Sequence, residues 1–124
     1  MKHLFCSYEQ SLALKELGFD EECLGVYDEN IEIRVGDNIR FGICINAPLK
    51  QQVFKWFRDK KLSDGSINRH GEADGGYSYR WEIVHEYGVY EERHFKMGYK
   101  TYEEAEDACI DKLIELIKSL KQPK

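Results

Sequence analysis

The sequence predicts an α+β fold: an antiparallel sheet of about five strands with three helices mainly on one face, in the order α-β-β-β-α-β-β-α. Two observations point there. Segments with apolar residues at helical spacing alternate with pairs of period-two segments joined by short turns, which is the signature of hairpins rather than of single parallel strands. The 124 residues are also 42% hydrophobic and 33% charged with only two prolines, the composition of a folded chain rather than a disordered one. That length suits a single domain over 1–124.

Each element has its own warrant. Ser7 and Gln10 stand at capping-box spacing and open a first helix at about 8–17. Tyr8, Leu12, Ala13 and Leu17 form its apolar stripe, and Gly18 is the left-handed stop. The segment 23–28 reads as a weak strand. In 31–35, Ile31, Ile33 and Val35 alternate with Glu32 and Arg34, and a turn at Glu29-Asn30 would set Val26 opposite Ile33. In 39–46, Ile39, Phe41, Ile43 and Ile45 alternate with smaller or polar residues. A loop at Gly36-Asp37-Asn38 would pair Val35 with Ile39 and Ile33 with Phe41, giving a meander with one apolar face.

Pro48 suits the first position of a second helix, where its missing amide costs nothing. Leu49, Val53, Trp56 and Phe57 recur at helical spacing over 48–61. Residues 63–76 contain four glycines and read as a loop, mobile or functional at that length. In 77–87, Tyr77, Tyr79, Trp81, Ile83, His85 and Tyr87 share one face. A turn near Gly88 returns the chain through 90–97, and a three-residue loop there would set Trp81 opposite Phe95 and Tyr79 opposite Met97. Thr101 and Glu104 have capping-box spacing for a last helix, whose stripe is Tyr102, Ala105, Cys109, Leu113, Leu116 and Leu120. Ile110, Ile114 and Ile117 widen that stripe beyond what a helix on a sheet needs. The first helix is too short to cover all of it, so an uncovered ridge at Ile114 would suit a symmetric helix–helix homodimer.

Charge is unevenly spread. The net charge is −5, which argues for solubility and against a nucleic-acid role for the whole molecule. Residues 1–30 carry net −5, 31–62 net +4 and the remainder net −4. The four cysteines, Cys6, Cys23, Cys44 and Cys109, lack CxxC or zinc-ligand spacing and read as reduced thiols. Met1-Lys2-His3-Leu4-Phe5 lacks the apolar run of a signal peptide, and no stretch reaches transmembrane length. The expected location is therefore cytoplasmic, with no membrane association.

No motif for chemistry stands out. His85 and His94 alternate to opposite faces in the expected register, so they would not converge with their neighbouring glutamates on a metal or acid–base site. Asp64, Asn68, Glu72 and Asp74 lack calcium-loop spacing, and Gly71, Gly75 and Gly76 fit no phosphate-binding pattern. Cys109 falls on an apolar stripe, as core rather than nucleophile. No cofactor, metal or enzymatic activity is expected. The remaining candidate surface is the basic second helix, with Lys50, Phe54, Lys55, Arg58 and Lys61, extended by Arg69. It is suited to tracking phosphates, although a solvated charged helix face is the favoured reading of such a pattern.

Cys6-Ser7-Tyr8-Glu9-Gln10, Ala13 through Asp20, Ala47-Pro48-Leu49, Gln52, Phe54 through Arg58, Tyr102 through Glu106, Ala108-Cys109 and Lys112 through Glu115 together form a pattern. It is similar to short hypothetical proteins of gut anaerobes, their phages and prophage-like elements. The resemblance spans nearly the whole chain, least in 63–100, and implies a mobile-element accessory protein. It carries over no functional residue. The expectation is a non-enzymatic accessory domain that binds a protein partner. The alternative is a nucleic-acid-binding accessory domain using helix 48–61.

Overall fold

The computed structural model describes residues 2–35, 45–61, 63–69, 76–84 and 91–121. The elements are α1 (Tyr8–Glu16), β1 (Gly25–Tyr27), β2 (Ile33–Val35), β3 (Ile45–Ala47), α2 (Lys50–Lys61), β4 (Ser63–Arg69), β5 (Tyr77–Val84), β6 (Glu91–Tyr99) and α3 (Tyr102–Lys121). The α+β class holds. The strands form two antiparallel three-stranded sheets, β2-β1-β3 and β4-β5-β6, in place of the expected single sheet. The chain divides into two compact units, Met1–Val53 and Phe54–Lys124, and the division falls inside α2.

In the first unit, the capping box of α1 is complete. The Gln10 N–H donates to Ser7 Oγ (3.1 Å) and the Ser7 N–H donates to Gln10 Oε1 (2.9 Å). At the other end Gly18 takes a φ of +100°, and the Gly18 and Phe19 amides donate to the Lys15 and Leu14 carbonyls. That double closure is a Schellman stop. The buried face differs from the expected stripe: Gln10, Ser11, Leu14 and Leu17 are buried, while Tyr8, Leu12 and Ala13 are only half-buried. The reason is local satisfaction. Gln10 spends its side chain on the cap, and Ser11 Oγ donates to the Ser7 carbonyl (2.8 Å), so both polar side chains can be buried with a hydrogen bond made.

The strand that read as weakest, β1, takes the centre of its sheet. Tyr27 is buried beside Phe5 and Ala47, with Tyr8, Ile33, Ile45 and Leu49 packed around them. Its hydroxyl donates to the Cys6 carbonyl (2.5 Å), and the Tyr8 ring meets its ring edge-on. Gly25 lies under Phe5, whose Cε1 would be 2.9 Å from an added Cβ. The expected meander is corrected in two respects. β3 pairs with β1 and not β2, and Tyr27, not Val26, stands opposite Ile33. The expected pairing of 36–44 lies outside the described residues. Pro48 sits ahead of α2 and not in its first turn; the Cys6 N–H donates to its carbonyl, and Phe5 bridges to Leu49.

In the second unit, the expected loop 63–76 is corrected at its start. Ser63–Arg69 form β4, paired along its length with β5; residues 70–75 lie outside the described residues. The glycine that suggested a loop is required by packing. Gly65 stands opposite Trp81, and a Cβ there would come within 2.7 Å of Cys109 Sγ and 2.9 Å of Phe54 Cε1. α3 packs chiefly on β4 and β5. As expected, Tyr79 and Trp81 are buried, as are Cys109 and Leu113, and Lys112 Nζ lies 5.8 Å from the Trp81 ring centre.

The β5–β6 register slips by one from expectation: Arg80 faces Phe95, Trp81 faces His94 and Tyr79 faces Lys96. Val84 pairs with Glu91, so an even number of residues separates the paired ends where three were expected. The pairing returns to step at Tyr77–Tyr99 through an irregularity beside Gly98, whose φ is +101°, as in a glycine bulge. Thr101 caps α3 by accepting from the Glu104 N–H (3.1 Å), while the Glu104 carboxylate reaches back to the Lys100 N–H.

Candidate functional site

The basic surface does not assemble as expected. Lys50 and Phe54 are buried, at 3% and 4% exposure, because they fall on the inward side of α2 with Val53 and Phe57. Lys55 is exposed but donates to Asp59 (2.7 Å), and Arg58 faces Asp64 at 3.5 Å. The Lys55 hydrogen bond holds the Asp59 carboxyl below its ordinary range. Lys61 Nζ sits 5.4 Å from the Trp56 ring centre, and Arg69 is exposed at the end of β4. Lys55 and Arg58 are thus already answered by carboxylates, and the row of cations expected along the helix is interrupted.

The proposed self-association ridge is corrected as well. Ile110, Ile114 and Ile117 are all buried, Ile114 at 6% exposure. The ridge expected to stay uncovered at Ile114 is thus buried in the single chain.

The cysteines follow their core reading. Cys6 and Cys109 are buried and Cys23 half-buried, all as free thiols; Cys44 lies outside the described residues. Burial pushes the Cys109 thiol up to about 12, and burial with the nearby Glu21 charge pushes Cys23 up to about 11. Neither is poised as a thiolate nucleophile near neutral pH. His85, Glu72 and Asp74 lie outside the described residues. Among the described residues no group of three His, Cys, Asp or Glu side chains could hold a metal ion, and no helix is long and apolar enough to cross a membrane. An open cavity of about 500 Å³ lies in the first unit, lined by Ser11, Lys15, Gly18, Phe19, Asp20, Ile45 and Asn46.

The feature that most resembles a recognition element is the β1–β2 hairpin, which the sequence reading passed over. Leu24, Ile31 and Val35 are exposed on it by 63%, 55% and 50%. Asp28 builds the turn. Its Oδ1 accepts from the Asn30 and Glu32 N–H groups at 2.8 and 3.0 Å, and its Oδ2 accepts from Arg34 Nε at 2.8 Å. The backbone closes through Ile31 N–H to Asp28 O and Asp28 N–H to Glu32 O, each 2.9 Å. This is a three-residue hairpin loop, a tight turn followed by one residue in the left-handed region. That residue is Ile31, with a φ of +61°. The charge along this segment is predominantly acidic: residues 20–35 contain Asp20, Glu21, Glu22, Asp28, Glu29 and Glu32 against a single cation, Arg34, which is bonded to Asp28.

Comparison with known proteins finds no matching family model, no matching curated protein and no matching solved structure.

Proposed function

We propose that this protein is a non-enzymatic protein-binding accessory domain, of the phage or prophage type that its sequence resembles, and that the β1–β2 hairpin is its docking element. The observation that carries the reading is the display of Leu24, Ile31 and Val35 on one short, hydrogen-bonded hairpin. Single exposed aliphatic residues are ordinary on protein surfaces, and three of them on one element held in place by its own side chains support the reading of an interaction site. An acidic surround favours protein over nucleic acid here, since phosphates are repelled by it. The alternative, nucleic-acid binding through α2, has less support because Lys55 and Arg58 are ion-paired and Lys50 is buried.

Quantitative affinity purification from host lysate tests the reading, using wild type and a Leu24→Ser/Val35→Thr double variant of matched thermal stability. A protein recovered in stoichiometric amount with wild type and lost with the variant is the expected result. Recovery of the same proteins by both would remove the hairpin as the docking element.

A further inference from the structure

We infer that Ile31 is the anchor residue of the docking hairpin, kept for contact with a partner protein at the expense of the fold, and that its receptor is an apolar pocket rimmed by Lys or Arg. The inference rests on the protein-binding reading and adds the contact residue and the partner's chemistry. Its starting point is an occupancy that local structure does not favour. The third loop position of such a hairpin needs a positive φ, which glycine adopts freely and asparagine tolerates, whereas a β-branched residue adopts it only under strain. Here Asn30 occupies the position before, and Ile31, at φ +61°, occupies the strained one.

The fold gains little in return. The Ile31 side chain is more than half exposed and, among the described residues, is not part of the first unit's core cluster. Its backbone N–H bond to Asp28 O would be made by any residue other than proline. An isoleucine on a hydrogen-bonded turn brings a backbone already ordered for binding, which lowers the conformational entropy lost on contact. The pocket that receives it must match a rim of carboxylates. Glu29 and Glu32 flank Ile31 and are exposed, and residues 20–35 carry six acidic side chains against Arg34 alone, which is bonded to Asp28. Lysine or arginine around an apolar pocket is the complementary surface, and the same field excludes acidic partners and nucleic acid.

Two measurements on the full chain test this. Thermal melting of Ile31→Gly and Ile31→Asn should give midpoints raised by about 2–4 °C, because the left-handed strain is relieved. A lower midpoint for both would show that Ile31 serves the fold and would overturn the inference. In the second measurement, short random peptides displayed on phage are panned against wild type. Enriched peptides should pair aliphatic or aromatic residues with Lys or Arg. They should bind Ile31→Gly at least about tenfold more weakly, as for an interface hot spot, and weaken with added salt. Peptides that need Leu24 or Val35 yet bind Ile31→Gly as well as wild type would overturn the anchor and leave the hairpin reading standing. Enriched peptides indifferent to all three residues would overturn both.

Discussion

At the scale of single residues, Asp28 carries more of the first unit's geometry than its place in a surface turn suggests. One carboxylate satisfies two backbone amides and one guanidinium, and thereby selects a loop of three residues over the two-residue turn that Glu29-Asn30 alone would favour. That single residue difference moves Tyr27, not Val26, opposite Ile33 and so decides which side chains enter the core. The Arg34 hydrogen bond, followed by that from the Glu32 amide, holds the Asp28 carboxyl below its ordinary value of 3.8. The sign follows from linkage. A depressed folded-state pKa contributes stability above the unfolded-state value, and that contribution is lost as pH falls through the folded-state value. Asp28→Ala should therefore be less stable than wild type at neutral pH, with the gap narrowing as pH drops below about 4. Parallel urea titrations from neutral to acid pH would measure this; a gap independent of pH would mean that the charge of Asp28 is irrelevant to the hairpin.

At the scale of elements, legibility followed how local the determining interaction is. Helix positions and caps were readable because Ser7–Gln10, Gly18 and Thr101–Glu104 act within a few residues of themselves. Tyr79, Trp81 and Leu113 were readable as core from periodicity. Registers were not: in the first hairpin Asp28 selects the loop length, and in the second the pairing changes by one residue partway along, at an irregularity beside Gly98. The Ile31 tip was hidden for the same reason: its strain exists only once the three-residue loop is known. Strand β4 was missed because Gly65 means opposite things locally and in three dimensions. It suggests a loop, but it is a place where α3 and the Phe54 ring come too close to the strand for a Cβ to fit. Gly65→Ala would drive a methyl group against Cys109 Sγ, Phe54 and Leu113, an overpacking cost of roughly 1–3 kcal/mol. Adding Cys109→Ala should recover part of that loss, a coupling that a double-mutant cycle reads directly. Strictly additive destabilisation would show that the two sites do not meet.

At the scale of the whole molecule, the burial of three isoleucines on α3 bears on two accounts of its wide apolar face. Had Ile114 lain open, it would have marked an interface between copies, and a charge placed there would split a dimer while leaving each chain folded. The structure covers Ile110, Ile114 and Ile117 within the chain, so the same substitution acts on the fold. Ile114→Glu removes a buried aliphatic side chain and offers a carboxylate to a site that excludes water, for a loss on the order of 3–5 kcal/mol. That is a large part of the stability of an ordinary domain of this size. The expected outcome is a sharply lowered urea midpoint, with wild type scattering light as a monomer at micromolar concentration. A wild-type dimer that Ile114→Glu converts to stable, folded monomer would require α3 to present this ridge to a second chain, against the burial observed. The apolar surface that the chain leaves exposed on the β1–β2 hairpin, at Leu24, Ile31 and Val35, is also where a partner would be met without disturbing the fold. Substitutions there should change association with little loss of stability, and substitutions on α3 should do the reverse.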